Sequence, residues 1–87
     1  MSMIGLDTST LQQNIQLIPR EKCNAYKLYI EDEFTKDTTN VFILYSNYNN
    51  GFLNLRFDFS VQDKRRYKLT LKDEYNYIVW KGKAKGQ

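Results

Sequence analysis

At 87 residues the chain makes one domain with one thin core, because a protein of this size hides only about 60 to 65% of its unfolded surface on folding. Hydrophobic residues at 41%, aromatic residues at 15%, one Pro and four Gly exclude the disordered, collagen-like and coiled-coil classes. With no His and a single Cys, Cys23, imidazole bases, Ser-His and Cys-His nucleophile pairs, an internal disulfide and a thiolate zinc site are excluded, and no cofactor is expected. Glu31, Asp32 and Glu33 stand side by side where a strand ends in a turn, and read as solvated charge rather than acid–base machinery. No phosphate-loop, dinucleotide or nucleophile-elbow pattern is present, so the expectation is a non-enzymatic protein that acts through its surfaces. No apolar run reaches the roughly 18 to 20 residues needed to cross a bilayer, and the first ten residues lack the basic start and apolar core of a signal peptide. The protein is expected in a cytosol, without membrane attachment.

In chain order, residues 1–10 read as a flexible N-terminal arm, or as a strand donated to a neighbour, and residues 8–16 hold a weak helical option behind Asp7 or Ser9. Asn14 to Ile18 reads as a short strand stopped by Pro19, and Ala25 to Asp32 alternates Tyr26, Leu28 and Ile30 with Lys27, Tyr29 and Glu31. Val41 to Asn49 and Phe52 to Val61 are two strands joined by Asn50-Gly51, the pair a type I′ turn requires because both positions need positive φ. That turn predicts Phe42 opposite Phe59, Leu44 opposite Phe57, Tyr48 opposite Leu53 and Tyr45 opposite Arg56. A second hairpin spans Tyr67 to Trp80, bending near Glu74-Tyr75, with Leu71 set against Ile78 and Leu69 against Trp80; Glu-Tyr is poor turn chemistry, which leaves a longer loop open. The reading is an all-β protein: a small antiparallel β-sandwich, immunoglobulin-like, of five to seven strands over residues 11–83, with a basic tail at 84–87 and a barrel as the alternative closure.

Charge is unevenly placed along the chain. Residues 1–63 carry five basic and eight acidic side chains, net −3, whereas residues 64–87 carry eight basic against two acidic, net +6. Lys64, Arg65, Arg66, Lys81, Lys83 and Lys85 make a candidate polyanion patch. Tyr45, Arg56, Tyr75 and Tyr77 make a candidate contact surface, and Tyr75 and Tyr77 could equally stack bases. Lys68 and Lys72, alternating with Leu69 and Leu71, read as solvation of an edge strand, and Trp80 reads as core.

The segments Gln16-Leu17-Ile18-Pro19-Arg20, Tyr26 to Thr35, Tyr67 to Asp73 and Ile78 to Ala84 together resemble a group of small all-β bacteriophage virion proteins. That group opens on an Ile-Pro-Arg strand and closes on an aromatic-basic-Gly-Lys strand, where this chain has Trp80-Lys81-Gly82-Lys83. The resemblance implies a structural subunit of the capsid decoration, neck or tail accessory type. It would be made in the host cytoplasm and carried in the virion, contact major capsid, neck or tail proteins, and be present as a homo-oligomer or in many copies. Two other readings stay open: a small nucleic-acid-binding barrel using the basic C-terminal hairpin, and a phage inhibitor of a host protein.

Overall fold

The computed structural model describes residues 4–20 and 25–87; Cys23 and the start of the expected arm, residues 1–3, lie outside the described residues. Eight strands follow in chain order: β1 (Ile4–Leu6), β2 (Gln12–Leu17), β3 (Tyr26–Asp32), β4 (Thr38–Val41), β5 (Ile43–Asn49), β6 (Phe52–Asp58), β7 (Arg66–Asp73) and β8 (Ile78–Gly86). They form a five-stranded sheet of order β1-β8-β7-β3-β4 and a three-stranded sheet of order β2-β6-β5. Two separate sheets make this a β-sandwich and not a closed barrel, a choice that the alternating pattern, common to both, had left open.

Between the sheets lies the core. Leu28, Ile30, Tyr67, Leu69, Leu71, Val79 and Ala84 face inward from the larger sheet, and Ile15, Leu17, Leu53, Leu55 and Phe57 from the smaller. Each large aliphatic or aromatic side chain so buried contributes roughly 1.5–3 kcal/mol. Tyr67 keeps its hydroxyl partnered by accepting the Gln62 backbone N–H at 2.9 Å, and its ring meets Phe59 edge-on at 5.4 Å. Trp80 is half-buried against the core, as expected, and its indole lies where a side chain on Gly82 would have to be.

Three expectations need correction. The Asn50-Gly51 turn forms, with φ of 53° and 84°, and pairs Tyr48 with Leu53 and Tyr45 with Arg56 as predicted. Beyond Tyr45, however, a bulge expels Leu44, so that Ile43 rather than Leu44 faces Phe57. The cause is a change of sheet: β4 belongs to the larger sheet and β5 to the smaller, and Phe42, the one residue between them, leaves both ladders at 79% exposure instead of pairing with Phe59. The β7–β8 hairpin sits two residues from the predicted register, with Leu71 opposite Trp80 and Leu69 opposite Gly82, and a bulge brings Lys72 against Ile78. Its loop runs through Asp73, whose carboxylate accepts the N–H groups of Tyr75 and Tyr77 at 2.9 Å, while Asn76 takes the positive φ of 69°. That Asx geometry is what Glu74-Tyr75 alone lacked.

Residues 4–10 and 84–86 are also not the arm and tail expected. Ile4–Leu6 pairs in parallel with Ala84–Gly86, burying Leu6, and no helix forms over 8–16. The buried amide of Gln13 anchors this corner: its Nε2 donates to the carbonyls of Asp7 at 2.7 Å and Thr10 at 3.0 Å, and its Oε1 accepts the Asp7 N–H at 2.8 Å. A Gln on an inward position reads as polar in sequence, yet here it satisfies backbone groups of a turn that the sandwich covers.

Candidate interaction surface

The outward positions of the five-stranded sheet alternate with its core residues, and the strand order brings together cations that are far apart in sequence. Lys27 on β3, Arg66, Lys68 and Lys72 on β7, and Lys81, Lys83 and Lys85 on β8 share this face with a single carboxylate, Glu31. Three pairs stand directly opposite one another: Lys27 with Lys72, Lys68 with Lys83, and Arg66 with Lys85. Directly opposed side chains in an antiparallel ladder have Cβ atoms about 4.5–5.5 Å apart, where like charges destabilise. None of the seven is in an ion pair among the described residues. Lys72 places its ammonium over the Tyr29 ring at 4.9 Å, and the Lys27 ammonium donates to the Asn76 side-chain carbonyl at 2.9 Å. Around Thr70, Lys68, Lys81 and Lys83 border a shallow open trough in this face.

The six residues of the expected polyanion patch divide. Arg66, Lys81, Lys83 and Lys85 lie on this face, whereas Lys64 takes a left-handed turn position, φ 62°, between β6 and β7. Arg65 is half-buried and engaged at the surface of a loop, its guanidinium 3.0 Å from the Asp32 carboxylate and 5.0 Å over the Phe34 ring. Desolvation works to raise the Asp32 carboxyl, and the N–H of Phe34, the Arg65 guanidinium and the N–H of Thr35 outweigh it, so its pKa lies below the usual carboxylate value. Asp7 is likewise held low by hydrogen bonds from the Ser9 hydroxyl and backbone N–H. In place of Lys64 and Arg65 the face gains Lys27, Lys68 and Lys72, which sequence reading had treated as solvation or passed over. The regular Lys alternation in β7 was the available signal; the β3–β7 pairing that sets Lys27 against Lys72 was not legible, because those strands are not joined by a short turn.

The expected contact surface divides as well. Tyr45 and Arg56 lie opposite each other on the outer face of the three-stranded sheet, with the guanidinium 5.6 Å over the ring and its Nε donating to Asn14 Oδ1 at 3.1 Å. Tyr75 and Tyr77, more than 70% exposed, stand on the β7–β8 loop at the rim of the basic face.

No protein-family model matches the chain, and no curated protein matches it. Among solved structures, the pullulanase from Anoxybacillus sp. LM18-11, solved in complex with maltotriose, is similar over 98% of this chain with a TM-score of 0.67 and 19% identity. The chain spans 12% of the length of that enzyme, and the likeness is one of fold: a small β-sandwich that also occurs as part of a larger protein.

Proposed function

We propose that the protein is a non-enzymatic structural subunit of a bacteriophage particle that docks the basic face of its five-stranded sheet onto an acidic surface of a neighbouring particle protein. The observation that carries this reading is the set of three directly opposed cation pairs on one face, an arrangement that costs the free subunit stability and is relieved when an anionic partner covers it. The resemblance of four segments to virion proteins supplies the setting. The test is charge reversal at Lys83, which faces Lys68. Lys83→Glu converts a repulsive pair into an attractive one, so the isolated protein gains about 0.2–1 kcal/mol, while its copy number in purified particles, counted by mass spectrometry against the main shell protein, falls. A wild-type chain absent from particles, or a variant incorporated as well as wild type, would sink the reading.

The exposed Tyr75 and Tyr77 beside Lys72 favour a second reading, single-stranded nucleic acid with phosphates on the lysines and bases on the rings. Such binding weakens steeply between about 50 and 200 mM salt, in proportion to the phosphates neutralised. Retention of oligonucleotide at high salt, or none at low salt, removes it.

A further inference from the structure

The three-stranded sheet carries a second surface of opposite character. Strand β5 bonds to β6 on one side, and among the described residues the order β2-β6-β5 places no strand on its other side. The two-residue turn makes Asn49 and Phe52 a hydrogen-bonded pair; by alternation Asn47 and Tyr45 bond toward β6, and Ser46 turns its N–H and C=O to the open side. Natural edges are guarded by charge, by Pro or by brevity. Here β1 has three residues and β4 four, with Lys36 and Asp37 leading into β4; β2, the other edge of the three-stranded sheet, is likewise uncharged over its six residues and stops short of Pro19, so the bulge and the apolar side chains it exposes are what set β5 apart. Strand β5 has seven residues, and residues 40–55 contain neither a charged side chain nor Pro. Its bulge pushes Leu44 out to 47% exposure, beside Phe42 at 79% and Tyr45 at 51%.

We infer that this edge is where two copies of the chain pair, β5 against β5 in antiparallel fashion about a two-fold axis, giving one continuous six-stranded sheet. Charge selects the occupant. Through the basic face a copy would meet its own seven cations, whereas the neutral β5 edge meets itself without repulsion and is self-complementary under a two-fold. A stable pair needs about 800 Å² buried per partner, more than a single strand edge supplies, which calls for Phe42, Leu44 and Tyr45 to be covered too. This inference is independent of what the basic face binds.

Sedimentation velocity of the purified chain from micromolar to millimolar concentration tests it. The expected result is a monomer–dimer equilibrium unchanged between about 50 and 500 mM salt, because no charge pair is involved. Ser46→Pro, which removes the outward N–H from an edge position, and Leu44→Lys, which places a charge at the exposed bulge and leaves the ladder intact, each give a monomer with an unaltered β-sheet spectrum. Lys72→Glu, on the other sheet, leaves the dimer unchanged. A wild-type monomer at all concentrations, a dimer that survives Leu44→Lys, or one that dissolves with salt would overturn the inference. A monomer whose β5 edge instead takes a strand of a different protein overturns it equally.

Discussion

The outer faces of the two sheets differ as sharply as two surfaces of one small protein can. On the five-stranded sheet seven cations face outward around Glu31. On the three-stranded sheet the facing rows are amides and an aromatic, Gln16-Asn54-Asn47 and Asn14-Arg56-Tyr45, with Arg56 and Asp58 as the charged residues of its strands. Both faces sit on inner layers made mainly of aliphatic and aromatic residues, so the difference lies in the outward positions. It teaches that stability and recognition occupy alternate positions of the same strands: period-two alternation leaves every second residue free to be chosen for what it meets outside.

The largest expected effect tests whether the basic face depends on the end of β8. Gly86 has no room for a Cβ, which would run into the Gln62 carbonyl oxygen, and its N–H and C=O bond to Arg65 and Lys64 at 2.9 and 3.0 Å. Gly86→Ala should cost about 3 kcal/mol by forcing backbone apart, read as a lower urea midpoint together with lost docking. Next comes the corner that joins the sheets. Gln13→Ala leaves the Asp7 N–H and C=O and the Thr10 carbonyl without their partner, and should cost about 2 kcal/mol. Hydrogen exchange should then quicken in β1 and β2 and not in β3 or β7; uniform quickening would mean that the two sheets open as one unit.

The smallest effect is a pH dependence. Asp32 and Asp7 have folded-state pKa values below the unfolded value of about 3.9, so their contribution is fully present above that pH and is lost as pH falls through the folded values. Asp32→Asn should therefore flatten the loss of stability below about pH 4, measured as urea midpoints at neutral and acid pH. An unchanged acid slope would show that the Asp32–Arg65 pair contributes nothing at the β3–β4 end of the larger sheet.

Much of the fold was legible because the signals were local. Alternation from Leu53 to Phe57 marked the inner face of β6, and Asn50-Gly51 set the register of five residues of β5 through its required positive φ. Legibility ended where a distant neighbour decided the outcome. Leu44 reads as core by alternation and is expelled because Val41 and Ile43 belong to different sheets. Leu69 reads as a partner for Trp80 and faces Gly82, because the Asp73 carboxylate builds a longer loop than Glu74-Tyr75 suggests. Arg65 reads as a surface cation and is taken by Asp32, thirty-three residues away. For the interaction surface, the basic character of residues 64–87 was visible in the sequence, and its true membership was not, since Lys27 joins it only through the β3–β7 ladder.

By itself, then, the sequence determined the class of the fold, the inward and outward residues of its clearest strands and the concentration of positive charge near its C-terminal end, all properties that neighbouring residues carry in their spacing. Tertiary structure alone decided that Ile4–Leu6 would close an edge in parallel with β8, that cations from three strands would stand in opposed pairs, and that β5 would have no second strand beside it among the described residues. Those outcomes depend on which strands become neighbours, and strand order is set by the summed burial of two whole sheets rather than by any single stretch of the chain.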